Sequence, residues 1–308
     1  MSAKNIALIS LKVILLTIIL FIVFAIASQL FLRPFAATPG SQEEGPQLAP
    51  AQQLGTLMAT VLLACFLQTV ALSYPILRSR WAGWRLVVTV FFVYYGTATV
   101  MGQIESAVYL RHRLPTGMLS NLFLMGAFTA AVFSPLAILI LGRRKPEPPT
   151  EERNLRLVMP AGEWVLKIMA TAVVYVVLYY TFGYFIAWKN PAVREYYGGT
   201  DPGNFFAQMS MVMQTTPWMI PFQVFRGMLW TALALPVVRM MKGAWWEAGL
   251  GVALLFTAPL VQLLFPNPLM PETVRMTHIV EIAPYQFIFG WFVVWLFLCF
   301  GTRKASLS

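Results

Sequence analysis

The chain has 308 residues, of which 58% are drawn from AVILMFWYC and only 11% are charged, against about a quarter charged in an ordinary soluble domain. A water-soluble fold of this length could not bury so much apolar surface. The formal charge of +10 comes from 22 Lys and Arg against 12 Asp and Glu, but the basic residues flank apolar runs instead of forming a stripe interleaved with aromatics, so no nucleic-acid partner is expected.

The composition predicts an all-α integral membrane protein of about eight transmembrane helices in contact with the lipid bilayer, at residues 10–32, 55–77, 84–110, 117–142, 162–188, 216–239, 245–266 and 277–301. About 20 apolar residues cross a hydrocarbon core, and lipid offers backbone amides no partner outside a helix. Lys4, Lys12 and the small-residue run Ala25-Ile26-Ala27 give the first span some likeness to a signal peptide. Its apolar stretch continues through Ser28 to Leu32, so the helix is expected to be retained. Residues 33–54, with Pro, Gly, Gln, Glu43 and Glu44, read as a flexible outer loop. The third span carries Gln103 and Glu105, with His112 just beyond it. Residues 143–161 form a charged cytoplasmic linker. Lys12 and Lys167 are expected to snorkel to the headgroups, and Cys65 and Cys299 to pack in apolar surroundings. Residues 189–215 make the largest outer loop; Tyr196-Tyr197-Gly198-Gly199 is a turn signal, and Phe205 to Met213 is too short to span but suits the interface. Gln223 and Arg226 fall in the sixth span, Gln262 in the seventh, and His278 and Glu281 in the eighth. Pro75 and Pro236 should end their helices, and the tryptophans and tyrosines suit interfacial belts.

Basic residues set the orientation. With the N terminus inside, the cytoplasmic flanks hold Lys4, Lys12, Arg78, Arg80, Arg85, Arg143, Arg144, Lys145, Arg153, Arg156, Lys167, Arg239, Lys242, Arg303 and Lys304, which is 15 residues. The outer flanks hold six: Arg33, Arg111, Arg113, Lys189, Arg194 and Arg275. Both termini are therefore expected on the cytoplasmic side of a cell membrane.

The halves look like copies. Leu11-Lys12-Val13 matches Leu166-Lys167-Ile168 at an offset of 155. The run from Leu67 to Arg78 matches Leu229 to Arg239 at 162 and then 161. Gln103 matches Gln262, and Gly142-Arg143-Arg144-Lys145 matches Gly301-Thr302-Arg303-Lys304, both at 159. Ordered landmarks at similar offsets predict two four-helix repeats, 1–145 and 162–308, joined by 146–161. Four is even, so the repeats are parallel, related by an axis along the membrane normal.

An ionisable side chain at the centre of a span costs about 2.5–3.5 kcal/mol on insertion scales and marks a cavity or a partner. Gln103, Glu105, Gln223, Arg226, Gln262, His278 and Glu281 are therefore the candidate site residues. At 1.5 Å per residue, all the ionisable ones fall in the outer half. Glu105 aligns with Leu264, and His278 and Glu281 align with Leu119 and Leu122, which predicts one asymmetric polar cavity between the halves, facing outward. Glu105 and Arg226 could equally form a structural pair, and His278 and Glu281 could be interfacial residues without a task. Transport or lipid handling of a small molecule is the first functional expectation, with Glu105 or His278 as the proton-coupled group. A non-catalytic subunit or assembly factor, holding a membrane partner through loop 189–215, is the second. An intramembrane enzyme is the third, with His112, His278 and Glu281 as weak metal candidates. No His-Glu-x-x-His, Gly-x-Ser-x-Gly or phosphate-cradling Gly-rich loop is present. No cofactor is expected; a haem between His112 and His278 is conceivable only because both histidines lie on one side.

Overall fold

A computed structural model describes residues 2–35, 50–145, 154, 156–201, 203–266 and 270–300. The loop carboxylates Glu43 and Glu44, most of the charged linker and the landmark Gly301-Thr302-Arg303-Lys304 lie outside the described residues. Among the described residues, eight helical segments are long and apolar enough to cross a membrane: Ala3–Phe35, Leu54–Leu77, Gly83–Tyr109, Met118–Ile140, Ala161–Ala187, Met219–Met240, Trp245–Leu264 and Glu272–Cys299. Among the described residues there is no strand. The protein is an all-α polytopic membrane protein.

The first helix, α1 (Ala3–Leu32), shows why. Leu16, Leu20, Val23 and Ala27 form a buried stripe, while Ile14, Ile18, Ile22 and Ile26 are each about half exposed. Four isoleucines at a spacing of four make an apolar ridge that water would not tolerate and that lipid tails accept. The other elements are α2 (Pro50–Leu77), α3 (Gly83–Tyr95), α4 (Met101–Tyr109), α5 (Met118–Ile140), α6 (Ala161–Phe182), α7 (Pro191–Tyr197), α8 (Phe205–Thr215), α9 (Met219–Met240), α10 (Trp245–Thr257) and α11 (Glu272–Cys299). Three spans depart from regular α-helix. A π turn at Gly96–Val100 joins α3 to α4, another at Gly183–Ala187 ends the fifth span, and a 3-10 stretch at Ala258–Leu264 finishes the seventh.

Two expectations need correcting. Pro75 and Pro236 lie inside α2 and α9, which run on to Leu77 and Met240; a proline in the final turns removes one internal hydrogen bond without preventing the last few residues from staying helical. Lys167 does not snorkel. It is buried, pairs with Glu163 at 2.8 Å and points its Nζ at the Phe297 carbonyl at 3.4 Å, because the end of α11 covers it.

In the first half α1 packs on α2 and α5, and α3 packs on α5; in the second, α6 packs on α9 and α11, and α10 on α11. Small residues allow the close approaches. A Cβ on Gly227 would stand 2.8 Å from Tyr175 Cβ in α6, and one on Gly290 would stand 2.9 Å from Ala253 Cα in α10. The halves meet where α3 crosses α9 and where α2 crosses α10 with its 3-10 extension. At the face where α1 begins, the connectors after α2 and α9 join as a single antiparallel bridge between Ser79 and Met241. The Arg80 amide donates to the Met240 carbonyl at 2.6 Å, and the Lys242 amide donates to the Arg78 carbonyl at 2.7 Å.

On the opposite face, α7 and α8 lie outside the spans. Asn190 caps α7 through its side chain, Pro191 occupies the first turn, and Gly198 ends it at φ 69°. Tyr196 and Tyr197 thus belong to the last helical turn, and the turn itself falls to Gly198. Asn204 caps α8 in the same way as Asn190 caps α7.

Candidate functional site

Five of the seven candidate residues fall in two hydrogen-bonded groups near the opposite face, joined by a contact between tyrosine rings. Glu105 sits one turn before the end of α4, and Arg226 lies two turns into α9. Their side chains form a two-pronged pair, Nη1 to Oε1 at 3.2 Å and Nη2 to Oε2 at 3.0 Å. Such fork geometry is the strong form of an ion pair. Arg226 Nη1 also donates to Gln223 Oε1 at 3.0 Å, one turn earlier on the same helix face. Gln223 Nε2 donates to the Tyr109 hydroxyl at 3.3 Å, and that hydroxyl lies 2.7 Å from the Tyr179 hydroxyl.

A second group continues from this point. The Tyr109 and Tyr197 rings meet edge to face at 6.3 Å. The His278 Nδ1 lies 2.7 Å from Glu281 Oε2, and its Nε2 lies 3.1 Å from the Tyr197 hydroxyl. A carboxylate only accepts, so Nδ1 carries the proton, and in the neutral ring Nε2 accepts from the tyrosine. Glu281 packs against the π turn of the fifth span, since a Cβ on Gly183 would stand 3.4 Å from its Oε1. Burial first, and then the charges of Glu105 and Glu281 with Tyr196 and Tyr109 beside them, push the Tyr197 phenol above its ordinary value. A phenol held protonated in this way stabilises the fold below pH about 10, and the contribution is lost as pH rises through the folded value.

Exposure shows where the two groups can be reached. The Arg226 side chain is 2% exposed, Glu281 8% and His278 14%, but Glu105 is 30% exposed. The guanidinium is flanked by Tyr175 and Phe222, each ring centroid 5.8 Å away. Arg226 Nε is buried with no hydrogen-bond partner among the described residues. Tyrosines occupy the interior of the cluster. Surface concavities of about 540 Å³ and 350 Å³ lie elsewhere, one between α3, α6 and α9 near the α1-start face and one along α11.

Two candidates stay outside both groups. Gln103 is half-buried on α4, its Oε1 buried without a partner, and Gln262 is half-buried in the 3-10 stretch, which packs on α2 and α11. The metal candidates do not assemble: His112 is exposed beside Arg113, and among the described residues no three His, Cys, Asp or Glu side chains are grouped to hold an ion. Both ring nitrogens of His278 are already engaged, which leaves neither free for a haem iron.

Sequence reasoning missed Tyr109, Tyr179 and Tyr197 by assigning tyrosines to interfacial belts. One signal was available: Tyr109 stands four residues after Glu105, on the same face of α4. No protein-family model, curated protein or solved structure matches the chain.

Proposed function

We propose that the protein moves or handles a small polar or amphipathic molecule at the seam between two four-helix halves, and that the Glu105–Arg226 pair closes this seam on the outer side. The observation that carries the reading is the asymmetry of the two crossings. Where α4 approaches α9, a charged pair with a buried guanidinium joins the halves. At the equivalent crossing, Arg226 corresponds to Ala64 at the offset of 162 and Glu105 to Leu264 at 159. A pair needed only to hold the halves together would serve both crossings. The unpartnered Arg226 Nε and the exposed edge of Glu105 leave the pair able to exchange protein for ligand contacts. In support of a duplicated chain, with repeats at 1–145 and 162–308, the pattern of helix neighbours recurs in each half. The bridge also joins the connectors that follow the matched α2 and α9 motifs, Ser79 lying one residue after Arg78 and Met241 two residues after Arg239. The distribution of basic residues supports cytoplasmic termini in a cell membrane.

The test is reconstitution into liposomes carrying an internal pH dye and a fluorescent phospholipid. Wild-type protein should drive pH-dependent dye change or lipid movement, and Glu105→Gln should lose the pH dependence. Because Gln also removes the counter-charge of Arg226, the variant should melt lower, and the two proteins are compared at a temperature where both are folded. Equal pH dependence in both proteins would remove Glu105 from the mechanism.

A second reading, a non-catalytic membrane subunit, is favoured by α8. Its Phe206 is 81% exposed and Met213 56% exposed, outside the spans. If that reading holds, both liposome signals stay at background, and a co-purifying complex survives Glu105→Gln but is lost with Phe206→Ser and Met213→Ser together.

A further inference from the structure

We propose that the concavity between α3, α6 and α9 is a binding site for one anionic phospholipid, on the side of the bilayer where α1 begins. It is independent of the Glu105–Arg226 reading, since it shares no residue with that cluster and lies toward the other face.

The groove has the three layers that such a lipid presents. At its rim stand Arg85 from the first turn of α3 and Arg239 from the last turn of α9, both exposed. Neither has a carboxylate partner among the described residues, and no acidic side chain lines the groove; neighbouring Glu163 is held by Lys167 and Glu247 by Arg78. The Arg85 guanidinium carbon lies over the Trp81 ring, 3.9 Å from its centroid, a cation–π contact at the rim. Trp81, Trp84 and Trp164 mark the headgroup level, the depth at which tryptophan is enriched in membrane proteins. Below them Val88, Ala232 and Leu235 give an apolar floor for an acyl chain. The volume of about 540 Å³ suits a headgroup with the upper part of one chain and not a whole lipid, so the remainder would lie in the bilayer.

Charge decides the occupant. Two guanidiniums without a carboxylate partner among the described residues, beside a membrane, favour a phosphodiester without a compensating ammonium. A basic pocket between spans is the recurring form of such recognition, and each arginine contributes about fivefold in affinity. A zwitterionic lipid gains little, because its own cation would face the two arginines.

The probe is purified full-length protein in neutral detergent, offered phosphatidylglycerol or phosphatidylcholine, with bound lipid counted by native mass spectrometry. Wild type should retain one phosphatidylglycerol in preference to phosphatidylcholine, and R85Q with R239Q should weaken that retention about 25-fold. Arg111→Gln removes an exposed charge on the other face and should leave retention unchanged. Melting of each variant in phosphatidylcholine separates lost binding from lost folding. Inorganic phosphate should not compete at millimolar concentration, because the floor contributes only to a lipid. Equal retention of both lipids by wild type, undiminished retention by the double variant, or displacement by free phosphate would each overturn the proposal.

Discussion

A guanidinium two turns into a membrane span is costly unless every favourable contact around it is in place, and Arg226 depends on few. Glu105 contributes two contacts, Gln223 one, and the rings of Tyr175 and Phe222 line its sides. Glu105→Ala leaves a 2% exposed cation without its counter-charge. The expected loss is about 3 kcal/mol, at the low end for a broken buried pair because Glu105 is itself 30% exposed. Arg226→Met on that background should recover part of the loss. A double-mutant cycle from thermal melts in detergent checks it, and strict additivity of the two substitutions would mean that the pair is not coupled. That Glu105 and Arg226 should find each other was legible in the sequence, because each is an ionisable residue in an apolar run. The tyrosines that lie between this pair and His278–Glu281 were not. Tyr179 sits in Tyr179-Tyr180-Thr181, where nothing in the local pattern distinguishes a ring facing lipid from one facing a partner. Only the rotation of α6 against α9 decides that.

At the level of single helices, contact is governed by where a side chain is missing. Gly227 brings α9 against α6, with Tyr175 Cβ and Ala172 Cα inside 3.2 Å of any added carbon, whereas Gly102 on α4 has open space around the same position. Gly227→Leu is expected to cost about 2 kcal/mol or more through overpacking. Gly102→Ala should be neutral or slightly stabilising, since alanine restricts the unfolded chain and meets nothing in the folded one. Comparing the two melting temperatures checks the pair of expectations. The sequence placed six of the eight spans to within three residues, because the transition from apolar run to polar flank is abrupt at a membrane surface. The first and last helices begin seven and five residues before their expected starts at 10 and 277, where polar residues extend the helix beyond the apolar run. It did not show the π turns at Gly96–Val100 and Gly183–Ala187. One extra residue in a turn leaves the apolar pattern almost unchanged, and its cause lies in packing between helices.

For the molecule as a whole, the proposed function places movement at the seam between the two groups of four spans. Ser79 and Met241 are the non-hydrogen-bonded pair of their bridge, a geometry that places Cα atoms about 4.5 Å apart, within disulfide range. Ser79→Cys with Met241→Cys, on a background lacking Cys65 and Cys299, should cross-link on mild oxidation. After cleavage in the 146–153 linker the halves should then run together on a non-reducing gel and separate on reduction. Failure to cross-link would mean that the connectors are apart in the membrane. The expected repeat implied a seam between two groups of spans, but a sequence offset carries no information about which two connectors touch.

The bridge also limits how the seam can part. Two backbone hydrogen bonds at one end of the bundle oppose separation there, yet they resist tilting only weakly, like the joined end of a pair of tweezers. A relative tilt of about 10° around that point spreads the far ends by about 5 Å across a 30 Å hydrocarbon core. That displacement is enough to draw Glu105 away from Arg226 while leaving Ser79 beside Met241.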